Sequence, residues 1–190
     1  VVTAFEPFGI IPTNSSLEIL KTLSEDYQKI VLPVSYEKCD TLLKDILLNQ
    51  KPDYLILLGQ AQNRHTISLE QGAINLINTS TRDNDGKFYL NKIIKEDGND
   101  GYFNTIDASR LVEELASTYP ISLSYSAGVY VCNYVFYLAL YYVSKLNLST
   151  KIGFIHFPLY QHQTEDSLST LELDTMVKAT NHILQLLLNK

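Results

Sequence analysis

The sequence predicts an α/β fold: a single-domain, open α/β/α sandwich around a mostly parallel, twisted sheet. Three observations lead there. Apolar runs of strand length alternate with amphipathic segments of helix length. Several of those runs are continuously apolar, as strands covered on both faces require. No linker, internal repeat or low-complexity stretch divides the 190 residues, which suffice for one domain (1–190) with a substantial core.

The elements follow in order. "VVTAF" (1–5) reads as the first strand. "SSLEILKTLSEDY" (15–27) reads as a helix with Ser15 at its start, since a serine side chain can accept from the first free N–H groups. "KIVLPVS" (29–35) is the second strand. "YEKCDTLLKDILLNQ" (36–50) is a helix with Cys39, Leu42, Leu43 and Ile46 on one face. "DYLILLG" (53–59) and "AINLINT" (73–79) are further strands. "ASRLVEELAST" (108–118) is amphipathic, "ISLSYS" (121–126) and "KIGFIHF" (151–157) are strands, and a last helix is predicted over about 168–188. Residues 80–107 break the rhythm with Asp, Asn and Gly. A loop that long inside a compact domain carries function or a small hairpin. Its "DND" looks calcium-like, but Lys92 falls where a bidentate Glu belongs, so the reading is a solvated turn.

Composition excludes several classes. Hydrophobic residues make up 45% and charged residues 19%, which argues against disorder. The net charge of −6 without a basic cluster argues against nucleic acid as a partner. Residues 131–143 fall short of the roughly 20 apolar residues of a membrane span. Two cysteines make no disulfide scaffold, so a reducing, cytoplasmic setting is expected. The chain opens in a strand without Met, which predicts a few preceding residues and leaves a removed signal peptide formally open. No nucleotide-binding or metal-binding motif occurs, so neither cofactor nor metal is expected.

Cys132 follows the strand 121–126 and the Ala127-Gly128 turn, and opens the apolar run 131–143. A helix amino end lowers a thiol pKa, and strand–turn–helix junctions face the ligand edge of such sheets. Free cysteines also serve as small core hydrophobes. Position alone leaves both readings open. For Cys39, on an apolar helix face, core packing is the expectation. A thiolate needs a base. His182 lies on the polar face of the last helix, and His65 and His162 lie in loops. His156 ends the strand 151–157, on the sheet edge expected for Cys132. Glu70 could fix the imidazole tautomer, or be only the solvated start of strand 73–79.

These segments resemble the pyroglutamyl-peptidase I (pyrrolidone-carboxylate peptidase) family. "TAFEPFG" (3–9) is similar to T-G-F-[DE]-P-F-G, and "LGQAQNRHTISLEQGAIN" (58–75) to G-x-A-G-G-R…E-R-x-A-I-N. The 83–107 stretch matches D-N-x-G…E-D-G…Y-F-[ST]-T-L. "SAGVYVCNYVFY" resembles [ST]-A-G-[TS]-[FY]-V-C-N, and "GFIHFP" resembles F-I-H-[VI]-P. Five motifs in order span nearly the whole chain. The resemblance implies a cysteine peptidase without a cofactor that removes an amino-terminal pyroglutamyl residue from peptides, and a homo-oligomer (dimer or tetramer). It implies Cys132 as nucleophile, His156 as acid/base and Glu70 as orienting group. It also implies Phe5 and Phe8 against the lactam ring, with Asn14 and Gln60 as substrate-binding residues. The shell departs from the pattern at Gln62 and Asn63 (usually Gly-Gly), Gln71 and Ser80 (usually Arg), Val129 (usually Thr or Ser) and Ser15 (usually Pro). Those departures keep two other readings open: a peptidase acting on another amide, and a non-catalytic small-molecule binding protein.

Overall fold

The computed structural model describes residues 1–164 and 170–188. Six strands form its central sheet: β1 (Val2–Phe5), β2 (Lys29–Leu32), β3 (Tyr54–Gln60), β4 (Ile67–Glu70), β9 (Ile121–Ser124) and β10 (Lys151–Phe157). Their order across the sheet is β2-β1-β3-β10-β4-β9. Every pairing is parallel except β10 with β4. Alternation along β3 sorts the core. Leu55 and Leu57 face the layer of α2 (Tyr36–Asp45) and α4 (Val131–Lys145). Ile56 and Leu58 face the layer of α1 (Ser15–Thr22), α3 (Ala108–Leu115) and α5 (Leu173–Leu188). That is the expected α/β/α sandwich. Among the described residues no helix is long and apolar enough to cross a membrane.

The differences from expectation are local. Asn14, not Ser15, caps α1: its side chain accepts from Ser16 N while Ser15 enters the helix. β2 stops at Leu32, because Pro33 offers no N–H to the ladder. α2 ends in a π-helical turn, Ile46–Gln50, with Lys51 left-handed after it. The predicted strand 73–79 does not enter the central sheet. It splits into β5 (Gly72–Ile74) and β6 (Ile77–Thr79), which pair with β8 (Gly101–Phe103) and β7 (Tyr89–Lys92) in two antiparallel ribbons. The strand that does join is β4, which carries Glu70 and is absent from the sequence-based expectation. The last helix is predicted to start near residue 168, which lies outside the described residues. The described helix begins at Leu173.

The "DND" turn also differs. Asp83 is only 5% exposed rather than solvated. Its carboxylate accepts from Asp85 N and Lys87 N through Oδ1, and from Tyr36 N through Oδ2. A carboxylate satisfied by three backbone donors costs little to bury.

Candidate active site

β10 ends at the candidate base. His156 is 3% exposed, and its ring packs 4.6 Å from that of Phe154. The neighbouring strand makes room for it. A Cβ on Gly59 would stand 2.8 Å from Phe154 Cζ and 3.1 Å from His156 Cδ2. Gly59 is therefore a close-approach glycine.

His156 Nδ1 lies 2.7 Å from Glu70 Oε1. A carboxylate only accepts, so Nδ1 is the donor, and in the neutral imidazole Nε2 is then the nitrogen with the lone pair. The two meet across the antiparallel step of the sheet: Ser68 stands opposite His156, which puts Glu70 on the diagonal. Arg64 completes the group. Its Nη2 donates to Glu70 Oε1 at 2.9 Å, to Ser124 Oγ at 2.9 Å and to the Ser126 carbonyl at 2.8 Å. The buried carboxylate thus has a cation and an imidazole on Oε1, while its Oε2 is buried without a hydrogen-bond partner. Glu70 is no solvated strand start.

Cys132 is the second residue of α4, whose N-terminal flank is Tyr130. It does not share a strand edge with His156, because β9 runs against β10. The segment 125–130 carries the chain back to the helix start, turning at Gly128 with φ +82°. Cys132 and His156 line one cleft with Gln60, Arg64, Ser126 and Tyr130. Beside it lies an apolar pocket walled by Phe5, Phe8, Val34, Tyr130 and Cys132, with Asn14 and Gln60 as its polar members. Both polar residues are pinned. Asn14 Oδ1 accepts from Ser16, and its Nδ2 donates to Glu6 O at 3.2 Å. Gln60 Oε1 accepts from Ser15 N and Gln163 Nε2, each at 2.7 Å.

Cys132, His156, Phe5, Phe8, Asn14 and Gln60 therefore line these two adjoining cavities, with Glu70 bonded to His156. Sequence reasoning missed Arg64 and Tyr130. Arg64 stood inside a quoted motif, six residues before Glu70, without a role. Tyr130 stood two residues before the cysteine. The substituted Gln62-Asn63 turn closes without left-handed backbone, with Arg64 N donating to Ala61 O at 3.0 Å, so glycine is not required there.

One electrostatic expectation is overturned. Burial pushes the Cys132 thiol up from 9.0 to about 12, and the charge of Glu70 adds to the rise. Desolvation outweighs the partial positive charge of the helix end. Cys39 is also raised to about 12, fully buried, with Sγ 2.9 Å from the Pro33 carbonyl. Access then separates the two thiols, since Cys132 is only partly buried. Iodoacetamide should label Cys132 well before Cys39, and the Cys132 rate should still be climbing at pH 10. The sign follows from the raised pKa: thiolate gains about tenfold per pH unit until about pH 12. Mass spectrometry of partly labelled protein reads both. Earlier labelling of Cys39, or a Cys132 plateau near pH 8, would contradict it.

A family model described as pyroglutamyl peptidase matches residues 1–188. The chain belongs to the pyroglutamyl peptidase family. A pyrrolidone-carboxylate peptidase of Brachyspira hyodysenteriae is 37% identical over 193 residues, covering 97% of this chain and 96% of the relative. Pyrrolidone-carboxylate peptidase 2 of Caldanaerobacter subterraneus is 38% identical, covering 94% and 91%. Among solved structures, the pyrrolidone carboxyl peptidase of Fervidobacterium islandicum superimposes with a TM-score of 0.92 at 32% identity, over 98% of this chain and 96% of that one. Pyroglutamyl peptidase I of Bacillus amyloliquefaciens gives 0.90 at 32% identity, over 96% and 92%. Pyroglutamyl peptidases are cysteine peptidases of the omega type. In this member of the family, the half-buried thiol, the imidazole and the apolar pocket come together in one region.

Proposed function

We propose that this chain removes an amino-terminal pyroglutamyl residue from peptides, with Cys132 as nucleophile, His156 as acid/base and Glu70 as its orienting partner. One observation carries the reading: the His156–Glu70 pair opens onto the cleft that Cys132 shares with a pocket of two phenylalanines and two pinned amides. Pyroglutamate is an uncharged lactam, so an apolar pocket with a few oriented polar groups suits it.

The resting thiol is neutral. His156 Nε2 therefore takes the Sγ proton as sulfur attacks the carbonyl joining the lactam to the next residue. The oxyanion that forms lies near the first turn of α4, where the Cys132 N–H has no intrahelical acceptor. His156 returns the proton to the leaving amine as the C–N bond breaks. A water molecule, deprotonated by His156, then hydrolyses the thioester, releasing pyroglutamate and restoring the thiol. Arg64 fixes the Glu70 carboxyl group in place, and Glu70 in turn orients the imidazole.

Two free cysteines fit a reducing, cytoplasmic setting. Exposed Ile74, Phe103 and Tyr125 around the β5–β8 ribbon support assembly into a dimer or tetramer. The test of the activity is turnover of a pyroglutamyl fluorogenic amide. The expected result is steady cleavage, with a thioester of pyroglutamate on Cys132 trapped by acid quench. No cleavage would sink the peptidase reading. In that case pyroglutamate still raising Tm would favour a binding protein.

A further inference from the structure

We propose that the turn at 82–85 is the positioning element of the lactam pocket, with Asn84 and Glu6 as its working pair. The inference rests on the peptidase reading above. Three walls of the pocket come from distant parts of the chain: Phe8 from the segment after β1, Val34 from the approach to α2, and Tyr130 from the approach to α4. Each is tied to this one turn. Asn84 Nδ2 donates to Glu6 Oε1 at 2.8 Å and to the Pro7 carbonyl at 3.1 Å, the two residues before Phe8. Asn84 N donates to the Val34 carbonyl at 2.8 Å, and Glu6 Oε1 accepts from Val34 N at 3.0 Å. Tyr130 OH donates to the Arg82 carbonyl at 2.8 Å, and Phe8 lies 6.1 Å from the Tyr130 ring.

The turn itself is anchored. Buried Asp83 accepts from Asp85 N, Lys87 N and Tyr36 N, and Ser35 Oγ donates to Asp85 at 2.6 Å. Apart from this turn, the Phe8 segment is held at Glu6, whose N donates to the Leu32 carbonyl at 3.0 Å. Gly9 and Ile10 are exposed, and Asn14 reaches it only at the Glu6 carbonyl. None of these groups touches the reacting atoms. They set where Phe8 and Tyr130 stand against the ring, so they act on binding and not on the thiol. A hydrogen bond onto a carboxylate is the strong kind, and its geometry is not replaced by an unpaired side chain.

Asn84→Asp keeps the size, removes the donor and sets a second carboxylate against Glu6. In that variant KM for the pyroglutamyl amide should rise about tenfold or more, with kcat within about twofold, because contacts to the ring are equal in ground and transition states. Adding Glu6→Gln should recover several-fold of that loss. The new amide can donate to the introduced carboxylate while its oxygen still accepts from Val34 N, which makes the pair non-additive. Rates are referred to protein whose Cys132 titrates, so loss of folded chain does not mimic the effect. Should Asn84→Asp fail to fold, Glu6→Gln alone carries the test through a KM rise of a few-fold. An unchanged KM, a kcat that falls as far as kcat/KM, or a double variant equal to the product of the singles would overturn the clasp while the wild type still cleaves. A wild type that neither cleaves the amide nor binds pyroglutamate would overturn the peptidase reading, and the clasp with it.

Discussion

Cys132→Ala should lose turnover of a pyroglutamyl amide by about 10⁴-fold or more while remaining folded, and His156→Ala should fall as far. The thiol is the strongest nucleophile lining the cleft, and the imidazole is the base that can accept its proton. A thiol raised to about 12 supplies almost no thiolate by itself at neutral pH, so the base matters even more here than for a pre-ionised cysteine. The double variant should be no worse than either single, since the two act as one unit. Glu70→Gln should cost less, because it changes tautomer and orientation and leaves both reacting groups in place. Its amide would also face Arg64, which then loses its charge partner. Circular dichroism and Tm keep folding apart from chemistry. The assignment fails if Cys132→Ala retains more than a few per cent of activity, or if His65→Ala is as damaging as His156→Ala.

How much of this was legible in the residues depended on the range of the interactions. β10 was legible to the residue, because a continuously apolar run bounded by "ST" and Pro158 permits little else. The two layers followed from strand–helix alternation. β4 was not legible: "ISLE" is short, and what makes it a strand is a parallel partner in β9 and an antiparallel one in β10, both far along the chain. The same pairing buries Glu70, so the acid looked like a solvated strand start from sequence and proves to be the centre of a buried hydrogen-bond group. "AINLINT" failed in the opposite sense. Its apolar character serves two ribbons laid against α4, where Asn133 bonds Ile74 N and O and the Leu76 carbonyl. The pocket residues were legible only through family resemblance, since nothing local in "EPFG" reveals that Phe8 faces a cysteine more than a hundred residues on. The thiol pKa went astray because a helix end is visible in sequence and desolvation is not.

The pocket should reject the prolyl amide by about 10⁴-fold relative to the pyroglutamyl amide in kcat/KM. Proline has the same ring size, but it lacks the ring carbonyl and carries an ammonium. Among the described residues, the pocket is lined by Phe5, Phe8, Val34, Tyr130 and Val131 with two amides and the thiol, and by no carboxylate. An ammonium placed there loses its water and gains no counter-charge, which is among the most costly changes a site can suffer. The amides lose as well. Asn14 and Gln60 are fixed by Ser16, Glu6, Ser15 and Gln163, so they cannot turn to other partners when the lactam carbonyl is missing. Buried polar groups left unmatched are what produce discrimination of this size, whereas a missing methylene yields only about 10–200-fold. Phe8→Ala should behave differently: KM should rise more than kcat falls, because the ring contact is equal in both states. Parallel kinetics on the two amides decide. Comparable cleavage of both would show that the polar members of the pocket do not read the lactam, and would favour a peptidase acting on another amide.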